Sequence, residues 1–340
     1  MAPDWIVVGA GFTGATFAER MATAGRRVRV VERRAHIAGN AYDEINQSGI
    51  LVHRYGPHIF HTNSDVVWRY LSGFTEWRSY EHRVLGLIQG KLVPIPFNLD
   101  SLAALFPAPA VSQIESALIG EYGVGRRVPI LKLRESKRAE IRDFANYVYR
   151  NVFEGYTFKQ WQLRPEELSP SVTTRAPVSI SRDDRYFQDI YQTMPLEGYT
   201  AMFKRMLKHP NIEVVLECDW KYPRALISDT QILFTGAIDE FLDYRFGPLA
   251  YRSLRFEEHT LPKAQHQPVG TVNYPNNHDY TRITEQKIVT GQRSAVTTLV
   301  TEYPLPHVPG KTIAYYPIPR DENQLHHAKY AALAQIEYPQ

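Results

Sequence analysis

A chain of 340 residues, 44% hydrophobic and 22% charged, is long enough for two or three domains and too apolar to be disordered or fibrous. Its net charge of +3 is too small to indicate a nucleic-acid partner. A single cysteine, no apolar run near the ~18 residues that span a bilayer and no signal-peptide pattern predict a cytoplasmic protein with no membrane span, disulfide or metal site.

The first forty residues predict a strand, a glycine-rich loop, a helix and a second strand. The apolar run over residues 5–8 is typical of a buried parallel strand, a helical pattern follows over 12–24, and a second apolar strand follows over 27–31. Between the first strand and the helix lies the pattern G-x-G-x-x-G. Its glycines are Gly9, Gly11 and Gly14.

Each glycine of this pattern has a physical reason in a dinucleotide site. The first permits a tight turn, the second lets the backbone approach a pyrophosphate, and the third lets the helix pack on the strand. The helix N-terminus at Phe12 stabilises phosphate charge, and Glu32 ends the second strand at about the position of a ribose-binding carboxylate. We therefore predict dinucleotide binding; the alternative is a glycine-rich turn without a ligand.

The glycines alone do not decide between FAD and NAD. The segment 33–42 is a basic loop that contains glycine and directly follows the ribose carboxylate. Flavoproteins of the glutathione-reductase type place such a loop beside FAD, which favours FAD over a solvated basic turn. The cofactor candidates in this segment are Arg33, Gly39 and Asn40.

The rest of the chain alternates helical and extended patterns. The order of strand, helix and strand, then insertions, then returning strands predicts an α/β fold. Its expected parts are a Rossmann-type FAD-binding domain, an inserted helical domain and a mixed or antiparallel sheet. The predicted elements are a β-hairpin over 83–88 and 91–97, helices over 99–152 with the clearest at 134–153, an irregular stretch over 154–200, a strand over 231–239 returning to the first sheet, and a last helix over 322–335.

We divide the chain into seven segments on these patterns. They are the first part of the FAD domain (1–75), the hairpin of the sheet domain (76–98), the helical insertion (99–165), a mobile substrate loop with sheet (166–195), the return to the FAD domain (196–240), the sheet domain with arginine and tyrosine residues (241–318) and a C-terminal helix (319–340).

Eight short motifs occur in order along the chain. They are rich in aromatic residues, arginine and glycine, and they lie at residues 56–62, 155–161, 186–192, 198–200, 241–247, 251–254, 280–283 and 315–317. In this order the motifs resemble the bacterial type of UDP-galactopyranose mutase, and the resemblance covers essentially the whole chain.

The resemblance implies a flavin-dependent isomerase without net redox change. Such an enzyme interconverts UDP-galactopyranose and UDP-galactofuranose through attack of N5 of reduced FAD on the anomeric carbon. It further implies a homodimer that serves cell-wall polysaccharide biosynthesis, with a nicotinamide donor or a reductase to reduce the flavin. A nucleophilic cofactor leaves position and charge to the protein.

The resemblance also implies the roles of individual residues. Arginine suits the UDP diphosphate because its planar fork binds phosphate oxygens bidentately, and an aromatic ring stacks on a base. The implied catalytic residues are Arg175, Arg282, His61 and Tyr316. The implied substrate contacts are Tyr156 and Trp161 on the uridine, Arg175, Arg252, Arg282, Tyr186 and Tyr316 on the diphosphate, and Asn273 and His82 elsewhere. His58 and His61 are implied beside the flavin.

Two features depart from the family pattern. Ala38 stands where a glycine is usual, and a positive φ there would be strained. The sequence ends at Gln340, before a motif that closes the FAD domain in the family, so we expect weaker FAD binding and reduced activity.

Three alternatives to the galactose mutase stay open. One is a mutase for another nucleotide-hexose. Another is a truncated UDP-sugar-binding homologue without catalysis. A flavin oxidoreductase is disfavoured by the arginine and tyrosine array.

Overall fold

The computed structural model describes residues 2–169, 177–221 and 230–338. In these residues the strands are β1 (Trp5–Val8), β2 (Val28–Val31), β3 (Asp43–Ile45), β4 (Leu51–His53), β5 (Phe60–Thr62), β6 (Trp77–Ser79), β7 (Val84–Ile88), β8 (Lys91–Ile95), β9 (Arg127–Pro129), β10 (Pro177–Ser179), β11 (Tyr191–Pro195), β12 (Ile212–Val215), β13 (Gln231–Phe234), β14 (Tyr251–Leu261), β15 (Thr271–Asn273), β16 (Arg282–Glu285), β17 (Thr297–Pro306) and β18 (Tyr316–Pro317).

The α-helices of the same residues are α1 (Phe12–Thr23), α2 (Asp65–Ser72), α3 (Leu99–Leu105), α4 (Ala108–Tyr122), α5 (Ile130–Arg134), α6 (Ala139–Val148), α7 (Gly155–Trp161), α8 (Tyr199–Met206), α9 (Ile238–Phe241), α10 (Gln286–Thr290) and α11 (Asp321–Glu337). A π-helical segment, Tyr149–Glu154, joins α6 to α7. Within the described ranges no helix combines the length and apolar character needed to cross a membrane.

The first sheet is parallel and has the strand order β12-β2-β1-β13. Helix α1 packs on it with a stripe of small residues, Ala15, Ala18 and Ala22, which are all buried. This is the predicted Rossmann-type α/β unit, and the predicted strand that returns to it is β13. That strand ends at Phe234, before the predicted limit, because the chain turns there towards α9.

The helical insertion forms around its own apolar core. Helices α3 to α6 bury Leu102, Leu118, Leu133, Ile141 and Phe144 against one another. The predicted helix over 134–153 was wrong at its start: α5 ends at residue 134 and α6 starts at residue 139. The intervening Ser136 hydroxyl accepts a hydrogen bond from the Arg138 N–H, which forms a turn.

The prediction of an irregular stretch over residues 154–200 was wrong at β10 and β11 and also at its start. There the π-helical segment leads directly into α7. Such π segments inside helices occur frequently at functional sites.

A seven-stranded sheet has the order β18-β14-β17-β16-β15-β7-β8. Its pairs are antiparallel except for β15 with β7. The mixed sheet agrees with the predicted fold class. Because side chains alternate between the two faces of a strand, directly opposed residues on neighbouring strands share one face.

Candidate active site

The glycine loop is built for close backbone contacts. A Cβ atom on Gly9 would lie 2.3 Å from the Thr235 hydroxyl, and one on Gly14 would lie 1.9 Å from the carbonyl oxygen of Gly9. A Cβ on Gly11 would meet only the Cα of Gly39, at 3.8 Å. The protein's own packing therefore requires Gly9 and Gly14, whereas Gly11 leaves space beside the helix.

That space lies at the positive end of α1. Gly11 is the N-cap of this helix and makes no side-chain capping bond, and the first turn contains no acidic residue. The N–H groups of a helix N-terminus attract an anion. The loop therefore fits the diphosphate of a dinucleotide cofactor such as a flavin.

The loop that follows β2 packs onto the glycine loop. Ala38 donates its N–H to the carbonyl of Ala10 at 2.9 Å, and it adopts φ 73°. Ala38, which stands where the family usually has glycine, is therefore in the left-handed region, where the sequence analysis expected strain. Gly39 follows with φ 55°. Two successive left-handed residues bring this loop against Gly11.

Glu32 joins the two loops at the end of β2. It is buried, and its carboxylate oxygens accept the N–H groups of Ala10 and Arg34, both at 2.9 Å. Each oxygen keeps a second lone pair, which a ribose hydroxyl can use. Its ribose role stays a prediction.

The other cofactor candidates lie around these loops. The Phe12 ring packs edge-on against Phe203 in the core, so that only its backbone faces the loop. Arg33 is exposed and pairs with Glu240 at 3.3 Å. Asn40 accepts a hydrogen bond from Arg34 at 2.9 Å.

One face of the seven-stranded sheet carries a row of polar residues. Arg282 on β16 lies opposite both Asn273 on β15 and Glu302 on β17. Further along, Arg252 on β14 lies opposite Tyr316 on β18. Strand alternation places Arg252 on the same face as Phe256, the residue opposite Glu302. The arginine–tyrosine face, as we call it, comprises Arg252, Asn273, Arg282, Glu302 and Tyr316.

Arg282 is the centre of this face. Its Nη2 donates to the Tyr156 hydroxyl at 2.7 Å, and its Nε lies 3.3 Å from the Glu302 carboxylate. Burial alone would lower the pKa of Arg282, but Glu302 and the neighbouring tyrosines hold it above its ordinary value. The guanidinium is therefore a fixed cation in a half-buried setting.

Glu302 is a site residue that the sequence did not reveal. Its side chain is only 7% exposed, and Thr281 donates to it at 3.2 Å. It lies in β17 among threonines, without a motif of its own. The one available signal was a single acid in the otherwise uncharged run from Thr297 to Pro306.

Helix α7 covers one end of the face. Trp161 packs edge-on against Tyr316, with ring centres 6.1 Å apart, and the Gln160 carbonyl accepts the Arg252 Nε at 2.9 Å. Burial lowers the pKa of Arg252. With Tyr156 on Arg282, this short helix contacts both arginines.

His82 and Tyr186 lie beside Arg282. His82 is buried with its ring 5.8 Å from that of Tyr186, and its Nδ1 is 3.1 Å from the Tyr80 hydroxyl. Burial first, and then the charges of Arg282 and His61, lower the pKa of His82 to about 4. His82 is therefore neutral at physiological pH.

His61 is a further candidate near His82 and Tyr186. Its Nδ1 lies 2.9 Å from the Asp189 carboxylate and its ring stacks on Phe187 at 3.6 Å. Asn63 donates to the other Asp189 oxygen at 2.8 Å. A carboxylate on Nδ1 fixes the tautomer, so that Nε2 is the free ring nitrogen.

His58 has none of these contacts and packs instead edge-on against Tyr199, with ring centres 6.3 Å apart. Its Nδ1 is 3.1 Å from the carbonyl of Gly56 and its N–H donates to His53. Burial lowers the pKa of both histidines, that of His53 to about 3. His53 is a second residue that the sequence analysis did not single out.

The structure thus brings most substrate candidates together: Tyr156, Trp161, Tyr186, Arg252, Asn273, Arg282, Tyr316, His82 and His61. Arg175 lies outside the described residues. Two surface clefts, at the helical insertion around Phe106 and Phe144 and beside β3 around Tyr42, are lined by none of these candidates.

A family model described as UDP-galactopyranose mutase matches residues 151–338, and one described as an NAD(P)-binding Rossmann-like domain matches residues 7–74. A Klebsiella pneumoniae protein named "Probable UDP-galactopyranose mutase" is 34% identical over 334 residues, covering 98% of this chain and 86% of the relative. A dTDP-fucopyranose mutase of Escherichia coli is 35% identical over 295 residues, covering 84% and 77%. The crystal structure of a reduced UDP-galactopyranose mutase aligns with a TM-score of 0.67 at 13% identity, over 99% of this chain and 88% of its own, which supports the fold.

Proposed function

The chain belongs to the UDP-galactopyranose mutase family of flavin-dependent isomerases, which act on UDP-sugars, and we propose that it interconverts UDP-galactopyranose and UDP-galactofuranose with reduced FAD. The observation that carries the proposal is the arginine–tyrosine face. It holds two arginines and a tyrosine together with Tyr156, a combination suited to a nucleoside diphosphate.

The leaving group of this reaction is UDP, whose diphosphate gains charge as the anomeric bond breaks. Arg282 is held in place for that charge by Tyr156 and Glu302. Because Tyr156 accepts the bond from Arg282, its own O–H stays free to donate to a phosphate oxygen. A cation fixed before the reaction stabilises developing charge without reorganisation.

The two ends of the nucleotide-sugar are assigned to different parts of the site. Trp161, at the end of α7, offers an aromatic surface for the uracil base, for which stacking contributes about 1–3 kcal/mol. The neutral His82 and the amide of Asn273 offer uncharged partners for sugar hydroxyls. The side-chain amide oxygen of Asn273 is buried and has no hydrogen-bond partner among the described residues.

The flavin is assigned to the glycine loop, where the N-terminus of α1 would bind its diphosphate and Glu32 its ribose. Reduced FAD, when bound, supplies the nucleophile for the anomeric carbon. His61, with Asp189 on Nδ1, keeps Nε2 available to accept or hold a proton at the edge of the site. A nicotinamide donor or a reductase is the proposed source of electrons.

One relative favours a second candidate. The Escherichia coli dTDP-fucopyranose mutase is 35% identical to this chain, close to the value for the Klebsiella protein. Both reactions would use the same diphosphate contacts. Their substrates differ in the base, in the 2′-hydroxyl of the nucleoside and in the 6-hydroxyl of the hexose, so a mutase for dTDP-fucose is the competing assignment.

The deciding experiment starts with the visible spectrum of the purified protein expressed with FAD. Flavin bands after desalting are expected. The reduced protein is then given UDP-galactofuranose and, in parallel, dTDP-fucofuranose, and the pyranose product is separated by chromatography. Conversion of the first substrate only supports the proposal. Conversion of the second only assigns the alternative. A protein that was yellow as purified, was then reduced, and converts neither substrate overturns both.

A further inference from the structure

Helix α7 and the π-helical segment before it contact one turn of the seven-stranded sheet along one side. Asn151, Gly155 and Lys159 are spaced by four residues, which places them on one side of a helix. All three contact the turn of residues 274–281, which connects β15 to β16. We call this contact the α7 clamp.

The first two contacts of the α7 clamp are close backbone approaches. The side-chain amide of Asn276 donates to the Asn151 carbonyl at 2.7 Å. A Cβ atom on Gly155 would lie 2.7 Å from the carbonyl oxygen of Pro275, so only glycine allows the helix to come this near.

Lys159 is the third contact. Its ammonium group donates to the carbonyl oxygens of Tyr274, His278 and Tyr280, the last two at 3.1 and 3.0 Å. An ammonium has three donors, and here each has a carbonyl acceptor. The three carbonyls come from one turn and point to one place, so the charge fixes the shape of the turn. Burial lowers the pKa of Lys159 to about 8, against which the charge of Asp279 acts.

Both partners of the clamp carry substrate candidates. On the helix, Tyr156 and Trp161 flank Lys159. On the sheet, the clamped turn separates Asn273 from Arg282. The hydrogen bond between Tyr156 and Arg282, 2.7 Å long, crosses the same boundary between helix and sheet. A shift of the turn against α7 would therefore change the separation of the groups proposed for the base and for the diphosphate.

We propose that Lys159 is a positioning residue for nucleotide binding: by holding the 274–281 turn it sets the distance between the aromatic end of α7 and Arg282. This inference rests on the proposed function. Lys159 itself donates inward to the turn and acts through Tyr156, Trp161 and Arg282.

The chain offers a matched control. Lys287 is also buried, and its ammonium also donates to backbone carbonyls of one loop, those of Ser294 at 2.6 Å and Val296 at 3.1 Å. None of these residues belongs to the candidate site. Replacing either lysine by methionine removes the charge and keeps most of the apolar stem, so the two variants differ mainly in which loop is released.

The first test uses hydrogen exchange in the protein without nucleotide, and it does not depend on the proposed function. In Lys159→Met the amides of residues 274–281 are expected to exchange about tenfold faster because the turn opens locally, and in Lys287→Met they are expected to stay protected. Unchanged protection of this turn in Lys159→Met overturns the clamp.

The second test measures UDP binding by calorimetry and turnover of the furanose substrate. Lys159→Met is expected to weaken UDP binding about tenfold and to lower kcat about 100-fold through misplacement of the diphosphate contacts. Lys287→Met, with a comparable loss in thermal midpoint, is expected to bind UDP as the wild type does. Lys159→Arg keeps the charge and should recover UDP binding to within about threefold.

The outcomes distinguish a failure of the positioning role of Lys159 from a failure of the proposed function. A faster exchanging turn with UDP affinity within twofold of wild type in Lys159→Met overturns the positioning role. If the wild-type protein binds no UDP, the proposed function fails, and the role of Lys159 in nucleotide binding fails with it. If Lys159→Met does not fold, Lys159→Gln, which also removes the ammonium group, is expected to show the same faster exchange and weaker UDP binding, and wild-type values of both overturn the clamp.

Discussion

The glycine loop offers backbone N–H groups from residues 11–14, which are consecutive in the chain. The arginine–tyrosine face and helix α7, which covers one end of it, instead offer side chains that lie far apart in the sequence. At the glycine loop the N-terminus of α1 supplies partial positive charge, and the absence of a Cβ atom on Gly11 leaves space for the cofactor diphosphate. At the arginine–tyrosine face, a buried carboxylate orients a guanidinium. An added methyl group should therefore damage the first site, and the loss of a functional group should damage the second.

The largest effect is expected at Arg282, where the face loses its central cation. Arg282→Met should lower kcat by about 100- to 1000-fold, as loss of one preorganised donor to developing charge does. It should also leave Glu302 buried without its partner, which costs about 3 kcal/mol or more of unfolding free energy. The expected result is this lower kcat, measured on the reduced protein, together with normal flavin absorbance of the oxidised protein before reduction.

The control for Arg282 lies on the opposite face of the same sheet. Arg255 on β14 alternates away from the arginine–tyrosine face, pairs with Glu257 and lies 4.0 Å from the centre of the Tyr303 ring. Arg255→Met should keep kcat within about twofold, since exposed ion pairs contribute only about 0–1 kcal/mol. Equal losses of turnover in both variants would remove the assignment of the face.

The next effect is expected at the glycine loop, where two single-methyl substitutions separate cofactor binding from packing. Gly11→Ala places its Cβ in the space beside α1, with no protein atom nearer than 3.8 Å. It should keep the thermal midpoint but weaken FAD binding by about 100-fold, because overpacking a close contact costs about 1–3 kcal/mol. Flavin content after gel filtration and titration of the apoprotein measure this.

Gly14→Ala tests the same loop from the other side. Its Cβ would lie 1.9 Å from the Gly9 carbonyl oxygen, so α1 must move away from β1. Stability and FAD affinity should both fall. If Gly11→Ala instead binds FAD like the wild type, the space beside Gly11 is not where the diphosphate lies.

These two sites also differ in how far the sequence alone predicts them. The glycine loop, the helix after it and the carboxylate at residue 32 are contiguous, so their spacing predicts both the Rossmann-type unit and its ligand class. The contacts of the arginine–tyrosine face join residues more than 100 positions apart, such as Tyr156 and Arg282. Only the family resemblance could assemble them.

Neither the spacing of residues in the sequence nor the family resemblance predicted the site residues that lie outside a motif. Glu302 reads as one more polar position in a strand, because its importance comes from lying opposite Arg282, which is a matter of strand register. The helix start predicted near residue 134 failed because residues 134–138 are all polar, and the apolar period that predicts the helix begins only at Ile141 and does not locate its first turn. The break between α5 and α6 depends on a local side-chain hydrogen bond that the period does not record.

A smaller effect is expected from the titration of His82. Its folded pKa, about 4, lies below the unfolded value of 6.5 because the ring is buried. As the pH falls from 6.5, the unfolded chain therefore binds a proton that the folded chain does not, and stability is lost. Between pH 6.5 and 5.5 this group should cost about 1 kcal/mol.

His82→Asn removes this titration and keeps an uncharged polar side chain. Urea unfolding of both proteins at pH 7.5, 6.5 and 5.5 gives the difference between them, in which His53 and the carboxylates cancel. The wild type should lose about 1 kcal/mol more than the variant over the last step. Parallel pH dependences would mean that the folded His82 binds protons as readily as the unfolded one.

The smallest effect concerns Ala38, where three terms nearly cancel. Its left-handed backbone, φ 73°, costs about 1–2 kcal/mol for a residue with a Cβ, and Ala38→Gly relieves that cost. Two terms oppose this gain: the higher unfolded-state entropy of glycine destabilises the variant by about 0.5–1 kcal/mol, and the loss of a buried methyl group by about 0.8 kcal/mol.

Ala41→Gly, equally buried but with an ordinary φ, has only the two unfavourable terms. Chemical unfolding should therefore show Ala41→Gly less stable than Ala38→Gly by about 1 kcal/mol. Equal losses would mean that the usual glycine at this position is kept for room beside the cofactor, since strain at Ala38 would then contribute nothing to stability.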